Sequence, residues 1–116
     1  MFVAVSRLVL HIPGARTLKD RRQVIRSFKD RVRARFPVSI AEVGDSERLQ
    51  VASFGVAVVS SDRGRCQELC DAVRSLAGNL PEAILADARS EVLSFGQGGE
   101  GLGGGIEHAL DPRRQR

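Results

Sequence analysis

Residues 17–35, TLKDRRQVIRSFKDRVRAR, constrain the fold of this chain most, because they predict a single long amphipathic helix. Thr17 can cap the free N–H groups of the first turn, and Asp20 stands where a carboxylate can reach back to the cap. Four apolar side chains recur at helical spacing and predict one apolar stripe: Leu18, Ile25, Phe28 and Val32. We expect this stripe to face the core.

A second stripe of the same helix is basic, and its members follow steps of three and four residues: Lys19, Arg22, Arg26, Lys29 and Arg33. Between Arg16 and Arg35, nine Lys or Arg residues stand against two Asp residues, which gives this segment a charge of +7. Since the whole chain carries +4, the remainder carries −3. The positive charge is therefore concentrated on one helix.

Two interpretations of this basic stripe are open. Lys and Arg attract polyanions because each phosphate they neutralise releases counterions, and Arg binds phosphate through two hydrogen bonds. A solvated helix face is also commonly charged without any ligand. Arg21 lies outside the stripe, since its angle places it near the apolar side. We expect it to reach solvent or to pair with a carboxylate, and a ligand-binding role is the less favoured alternative.

The length of 116 residues predicts one domain, and a hydrophobic fraction of 42% is enough to build its core. No apolar run approaches the roughly 20 residues of a membrane-spanning helix, and the first residues lack the pattern of a signal peptide. We therefore expect a cytoplasmic protein without membrane contact. Cys66 and Cys70 are expected to be buried as small hydrophobes, since no second Cys or His pair completes a zinc site.

Strand-like alternation and turn signals predict the other elements. The second helix begins at the caps Ser60 to Asp62 and ends near Ala77, and the strands occupy residues 2–11, 38–43, 49–59 and 84–95. This order predicts an α+β ferredoxin-like βαββαβ sandwich, a four-stranded antiparallel sheet with two helices on one face and the first and third strands in the middle. Residues 1–95 form this domain, and the Gly-rich residues 96–116 are expected to be a flexible tail.

The face of the sheet opposite the helices is predicted to be open and apolar. Its expected side chains come from the first and third strands: Val3, Val5, Val9, Val51, Ala57 and Val59. A patch of this breadth usually meets a partner, and a homodimer through this face or through an edge strand is the plainest one. The RNA-recognition motif, which shares this topology, would carry stacking aromatics there, whereas this chain has no Tyr or Trp.

The sequence contains no motif of catalysis, and we expect no enzyme activity, metal or cofactor. The glycines from Gly98 to Gly105 carry no P-loop lysine. The loop before the basic helix is the remaining candidate, because Gly14 and Arg16 stand at a helix N-terminus, where an anion can bind, although an ordinary loop is the alternative. Glu42 interrupts the second strand and is either a structural residue, an acid or a salt-bridge partner in a dimer.

The runs LHIPGARTLKDRRQVIRSFKDRVRARFPVSIAEV and ASFGVAVVSSD resemble the YlxP-like family of small bacterial proteins, a domain of unknown function. The resemblance covers about residues 2–95. It implies a ferredoxin-like fold and a link to ribosome or RNA metabolism, since the genes of such proteins commonly lie near those of transcription and translation factors. Where related sequences tend to have Trp in a D-L-W-Q run, this chain has Arg48-Leu49-Gln50.

Two functional hypotheses therefore remain. In the first, the protein is an accessory domain that contacts RNA or a ribonucleoprotein through the basic stripe. In the second, it is a small-molecule or anion-binding regulatory module that uses the loop around Gly14 and Arg16. An acyl-phosphate hydrolase on the same fold is a weaker third hypothesis, because the Gly-rich phosphate loop of such enzymes is missing.

Overall fold

The computed structural model describes residues 1–44 and 48–96. Its elements are, in chain order, β1 (Phe2–His11), α1 (Leu18–Arg35), β2 (Ser39–Val43), β3 (Val51–Ser60), α2 (Arg63–Gly78) and β4 (Ile84–Ser94). The four strands form one antiparallel sheet in the order β2-β3-β1-β4, so β1 and β3 are central. These observations confirm the predicted ferredoxin-like fold.

The predicted boundaries differ from the observed ones by at most two residues, the largest difference being that β3 begins at Val51 rather than Leu49. In the predicted polar turn between β2 and β3, residues 45–47 lie outside the described residues. The predicted Gly-rich tail likewise lies outside them from residue 97 onward, so the division of the chain at residue 95 stays a prediction.

One hydrophobic core lies between the sheet and the helices. Alternation along β1 buries Ala4, Leu8 and Leu10 on the helix side, which confirms the predicted face. At its centre the rings of Phe28 on α1 and Phe54 on β3 meet edge to face, with centroids 5.0 Å apart and planes at 71°. This contact packs α1 against the sheet.

The predicted apolar stripe of α1 is wrong at its first member. Leu18 is 44% exposed, whereas Arg21 joins Ile25, Phe28 and Val32 among the buried residues of the helix. At about 100° per residue, Arg21 lies within roughly 10° of the centre of this buried set, and Leu18 lies roughly 50° away from it. The helix therefore buries a charged residue rather than the nearest apolar one.

The two cysteines are free and fully buried on α2, as predicted. The thiol of Cys66 points at the carbonyl oxygen of Phe2, 3.7 Å away. Burial raises the pKa of the Cys70 thiol, and the neighbouring Cys66 and Asp71 raise it further, while a hydrogen bond with Ser90 opposes them. Both side chains act as small core residues.

Thr17 and Asp20 form the predicted capping box. The Oγ1 atom of Thr17 accepts a hydrogen bond from the Asp20 backbone N–H at 3.1 Å, and the Asp20 carboxylate accepts one from the Thr17 N–H at 3.2 Å. Thr17→Ala is expected to lower the free energy of unfolding, measured in urea, by about 1 kcal/mol.

The matched control is Ser27→Ala, which changes an exposed residue in the middle of the same helix. This control is expected to change stability by less than about 0.5 kcal/mol. Equal losses in the two variants would contradict a stabilising role of the cap.

Candidate nucleic-acid interface

Four of the five residues in the basic stripe line one open groove between α1 and β2, and this groove has a volume of about 390 Å³. They are Arg22, Arg26, Lys29 and Arg33. Lys19 is exposed but does not line the groove. From Arg22 to Arg33 the helix rises by roughly 16 Å, so the cations form a row along the groove rather than a single cluster.

The charges of the groove are only partly balanced by its own carboxylates. Asp30 and Glu42 also line it, but Glu42 is paired with Arg21. Arg33 donates a hydrogen bond from Nη2 to the Ile40 carbonyl oxygen on β2, at 3.1 Å. Within the described part of the chain, Arg22, Arg26 and Lys29 form no ion pair. These three cations are available to a polyanion.

Arg21 is excluded from this surface because its charge is used inside the protein. Its side chain is 3% exposed, and its Nη2 lies 2.6 Å from Oε2 of Glu42. The guanidinium also donates to two backbone carbonyl oxygens, from Nε to Arg48 at 2.6 Å and from Nη2 to Val51 at 3.0 Å. A planar donor with several N–H groups can satisfy three acceptors at once, which Lys cannot do with the same geometry. Glu42 is therefore a structural residue that binds α1 to the sheet.

The groove has no aromatic platform on which a base could stack. None of the described residues that line it is aromatic, and Phe28 and Phe54 are completely buried in the core. Arg35 lies over the ring of Phe36 at 5.8 Å, but both residues belong to the opposite flank of α1. A nucleic acid in the groove would thus be held by its phosphates and sugars rather than by its bases.

The second candidate site, the loop between β1 and α1, already contains an internal anion. The Asp20 carboxylate accepts hydrogen bonds from the backbone N–H groups of Arg16 and Thr17, at 3.0 and 3.2 Å. Gly14 is exposed, and a Cβ atom placed there would meet no neighbour within 4 Å. The loop therefore offers an outside anion fewer free donors than a helix N-terminus usually does.

Sequence reasoning missed the residue that holds this loop in place, Gln50. Its side-chain amide donates to the carbonyl oxygens of Pro13 and Ala15, at 3.2 and 3.3 Å. No local signal identifies such a contact, because it joins residues more than 30 positions apart. The position of Arg21 on the buried side of α1, in contrast, was visible in the helical spacing.

Two further properties of the described residues bear on function. No group of three or more His, Cys, Asp or Glu side chains in residues 1–44 and 48–96 is arranged to hold a metal ion. No helix in these residues is long and apolar enough to cross a membrane.

Comparison with known proteins gives two matches. The sequence model of the family described as "Protein of unknown function (DUF503)" matches residues 3–90. The chain is also 35% identical over 80 residues to the "Uncharacterized protein YlxP" of Bacillus subtilis (strain 168), and this alignment covers 69% of the chain and 87% of the relative. The family match includes the whole of α1 and the groove beside it.

Removal of the buried guanidinium is expected to cost far more stability than removal of its exposed neighbour. Arg21→Ala leaves Glu42 and two carbonyl oxygens without their donor, so it should lower the free energy of unfolding by about 3 kcal/mol. Arg22→Ala should change it by less than about 0.5 kcal/mol. Chemical denaturation of both variants measures the difference, and a mild effect of Arg21→Ala would show that the ion pair does not stabilise α1 against the sheet.

We expect Asp20 to contribute to the loss of stability of the fold in acid. The backbone N–H of Arg16 lowers the pKa of this carboxyl below its usual value of 3.8, and Thr17 and Lys19 add to the effect against a desolvation cost. Since the pKa is lower in the folded state, the carboxylate stabilises the fold above the unfolded pKa, and this contribution is lost as the pH falls through the folded pKa.

Asp20→Asn should therefore flatten the fall in unfolding free energy as the pH drops below about 4, the usual pKa of an Asp carboxyl. Denaturation of the parent protein and the variant at several pH values measures the two curves. Parallel curves would show that the Asp20 carboxylate gives no pH-dependent stabilisation.

Proposed function

This chain belongs to the DUF503 family of proteins of unknown function, and we propose from its own geometry that it binds RNA, free or within a ribonucleoprotein, through the groove between α1 and β2. The observation that carries the proposal is one groove lined by Arg22, Arg26 and Lys29, none of which forms an ion pair with another residue in the ranges 1–44 and 48–96. Lys19 and Arg33 extend the row at its two ends. A row of this kind follows a phosphate backbone.

The distribution of charge supports a specific surface rather than a generally basic protein. The segment from Arg16 to Arg35 carries +7 and the rest of the chain −3. The exposed face of α2, in comparison, combines Arg63, Arg65 and Arg74 with Glu68 and Asp71. The negative remainder of the chain would orient a polyanion towards α1.

Binding through the backbone makes the proposed recognition tolerant of sequence. Arg and Lys contacts to phosphate set the position of a nucleic acid and carry no sequence information. The resemblance to YlxP-like proteins, with its link to ribosome or RNA metabolism, favours RNA over DNA as the partner. A cytoplasmic location fits this partner and the two reduced cysteines.

The small-molecule or anion-binding module stays the alternative, but the structure supports it less. The Asp20 carboxylate accepts hydrogen bonds from the backbone N–H groups of Arg16 and Thr17, and its negative charge opposes a second anion beside Arg16. This alternative predicts thermal stabilisation by a metabolite, which would grow as the ligand exceeds its dissociation constant. It does not require the residues of the groove.

A second copy of the chain is the other partner that we propose. The open face of the sheet and the two edge strands, β2 and β4, are the surfaces available for such self-association. None of these three surfaces contains Arg22, Arg26 or Lys29. RNA binding and self-association are therefore separable by mutation.

The test of RNA binding is the triple variant Arg22→Gln, Arg26→Gln, Lys29→Gln, titrated with a labelled RNA duplex and a labelled single strand at several salt concentrations. If the parent protein neutralises three phosphates with these residues, the slope of log K against log salt should become shallower by about 2 to 3. Affinity at low salt should fall at least about tenfold.

The matched control is the variant Arg63→Gln, Arg65→Gln, Arg74→Gln, which removes the same charge from the exposed face of α2. This control should retain most of the affinity for RNA and nearly the full slope of log K against log salt. If the two triple variants behave alike, the attraction is a property of net charge alone and the groove is not the binding site. If the parent protein binds neither RNA, the proposal is wrong.

A further inference from the structure

The open face of the sheet collects most of the large hydrophobic side chains that the fold leaves in water. Among the described residues there are seven of these: Met1, Val5, Leu18, Val43, Val59, Ile84 and Leu93. The strand register places five of them, all except Met1 and Leu18, on the open face. Val59 is 67% exposed and Val5 41%. Exposed apolar groups concentrated on one face mark a contact surface.

Small residues occupy the middle of this face on the side of β2 and β3. Gly55 lies at the centre of β3, between Arg7 on β1 and Ala41 on β2. Its backbone is not in the left-handed region, and a Cβ atom there would meet only Val43, at 3.4 Å. The conformation therefore does not require glycine at this position. A bare backbone inside a strand is typical of a place where another chain approaches closely.

The charges of the face are incompletely matched within one chain. Arg7 lies directly across from Arg89, a like-charged pair that is unfavourable in an isolated sheet. Arg89 bonds to Asp87 at 3.2 Å, while neither Arg7 nor Glu91 forms an ion pair with another described residue. Among the described residues, Arg7 and Glu91 are thus an unpaired cation and an unpaired carboxylate, two residues apart in the register. A second copy can bring such opposite charges together.

The size of the face is sufficient for a dimer. At about 3.3 Å per residue and about 4.8 Å between strands, it covers roughly 600 Å² per chain, or about 1,200 Å² in total for two copies. This area is at the lower limit for a specific interface. The dimer should therefore dissociate on dilution.

The two edge strands are less suitable for self-association. On β2, which has five residues, the Ile40 carbonyl oxygen is already bonded to Arg33. On β4 the register with β1 shifts between Val9 and Leu10, which marks a bulge. Short strands, bonded edge groups and bulges all oppose the addition of another strand.

We infer that the open face binds a second copy of this chain, face to face, around a two-fold axis that crosses the strands. The axis passes between Arg89 and Glu91 on β4, between Val5 and Arg7 on β1, and between Gly55 and Ala57 on β3. This inference rests on the proposed self-association and specifies its geometry.

Such an axis accounts for the small residues and the charges of the face. The small Gly55 and Ala57 of the two copies lie opposite each other, so the sheets can approach closely. Glu91 of each copy lies opposite Arg89 of the other copy and one strand away from the other copy's Arg7. The carboxylate therefore reduces the repulsion between Arg7 and Arg89. The stem of Arg7 covers Val5 across the axis.

Sedimentation equilibrium of the parent protein over a range of concentrations tests the inference. The expected result is a reversible dimer. Glu91→Arg, an exposed substitution with little risk to folding, should weaken the dimer at least about tenfold. The exchange Arg89→Glu with Glu91→Arg should restore it, because the two positions face each other across the axis. Restoration by exchange is specific to this register.

Val59→Asp is the apolar test, and Leu18→Asp is its control, because Leu18 is exposed but lies outside the face. Val59→Asp should abolish the dimer, and the control should leave it unchanged, both with the circular dichroism spectrum of the parent. A dimer that survives Val59→Asp and Glu91→Arg would place the interface at an edge and overturn the inference while self-association stands. A monomer at every concentration would overturn both, without consequence for RNA binding.

Discussion

The buried ion pair between Arg21 and Glu42 is the contact on which the position of α1 depends. The apolar side chains of the helix, Ile25, Phe28 and Val32, hold it on the sheet, but apolar packing is not directional and leaves rotation about the helix axis poorly defined. A guanidinium bonded to one carboxylate and two carbonyl oxygens has only one good geometry. We infer that Arg21 selects one rotation of α1 among those that bury the apolar stripe.

This rotation determines which side of α1 faces solvent. Successive residues of a helix differ by about 100°, so burial of Arg21 directs Arg22 sideways, towards β2, and the residues three and four positions further along follow it. The row of Arg22, Arg26, Lys29 and Arg33 beside β2 is therefore a geometric consequence of the buried pair. One arginine of the segment stabilises the fold, and its neighbours are left for a partner.

Strong periodicity explains why so much of the fold was predictable. β1 alternates over ten residues and α1 keeps its spacing over eighteen, so their bounds and their faces followed from local patterns. The helical spacing placed Arg21 near the apolar side, and the expected alternative of a carboxylate partner is confirmed by Glu42. The complete burial of Arg21 in place of Leu18 was not predicted, because the preference of Arg for water had to be weighed against partners that only the tertiary structure brings near. Glu42 and the carbonyl oxygens of Arg48 and Val51 reach Arg21 from a distant part of the chain.

The candidate site was predictable in composition but not in arrangement. The spacing identified the five basic residues, whereas the separation of Lys19 from the groove and the bond from Arg33 to β2 depend on where the second strand lies. The loop at Gly14, in contrast, was predicted as a candidate anion site that the structure supports less. Its helix N-terminus suggested an anion site, but Asp20, which marked the start of the helix in the sequence, places its own carboxylate there and accepts hydrogen bonds from the N–H groups of Arg16 and Thr17. A strong capping signal is thus also an argument against a ligand at that position.

The basic groove and the open face lie on different layers of the sandwich, and this separation has a functional consequence. On the proposals above, a groove lined by Arg22, Arg26 and Lys29 would give an affinity that is screened by salt, and a face of roughly 600 Å² would give a dimer that dissociates on dilution. Each interaction is weak alone, but a dimer would present two basic grooves on one particle, and an RNA long enough to reach both would bind the second groove at a high effective concentration. RNA that bridges two grooves would in turn hold the two copies together. Two weak surfaces on opposite layers of a small domain would in this way act as one cooperative binding unit.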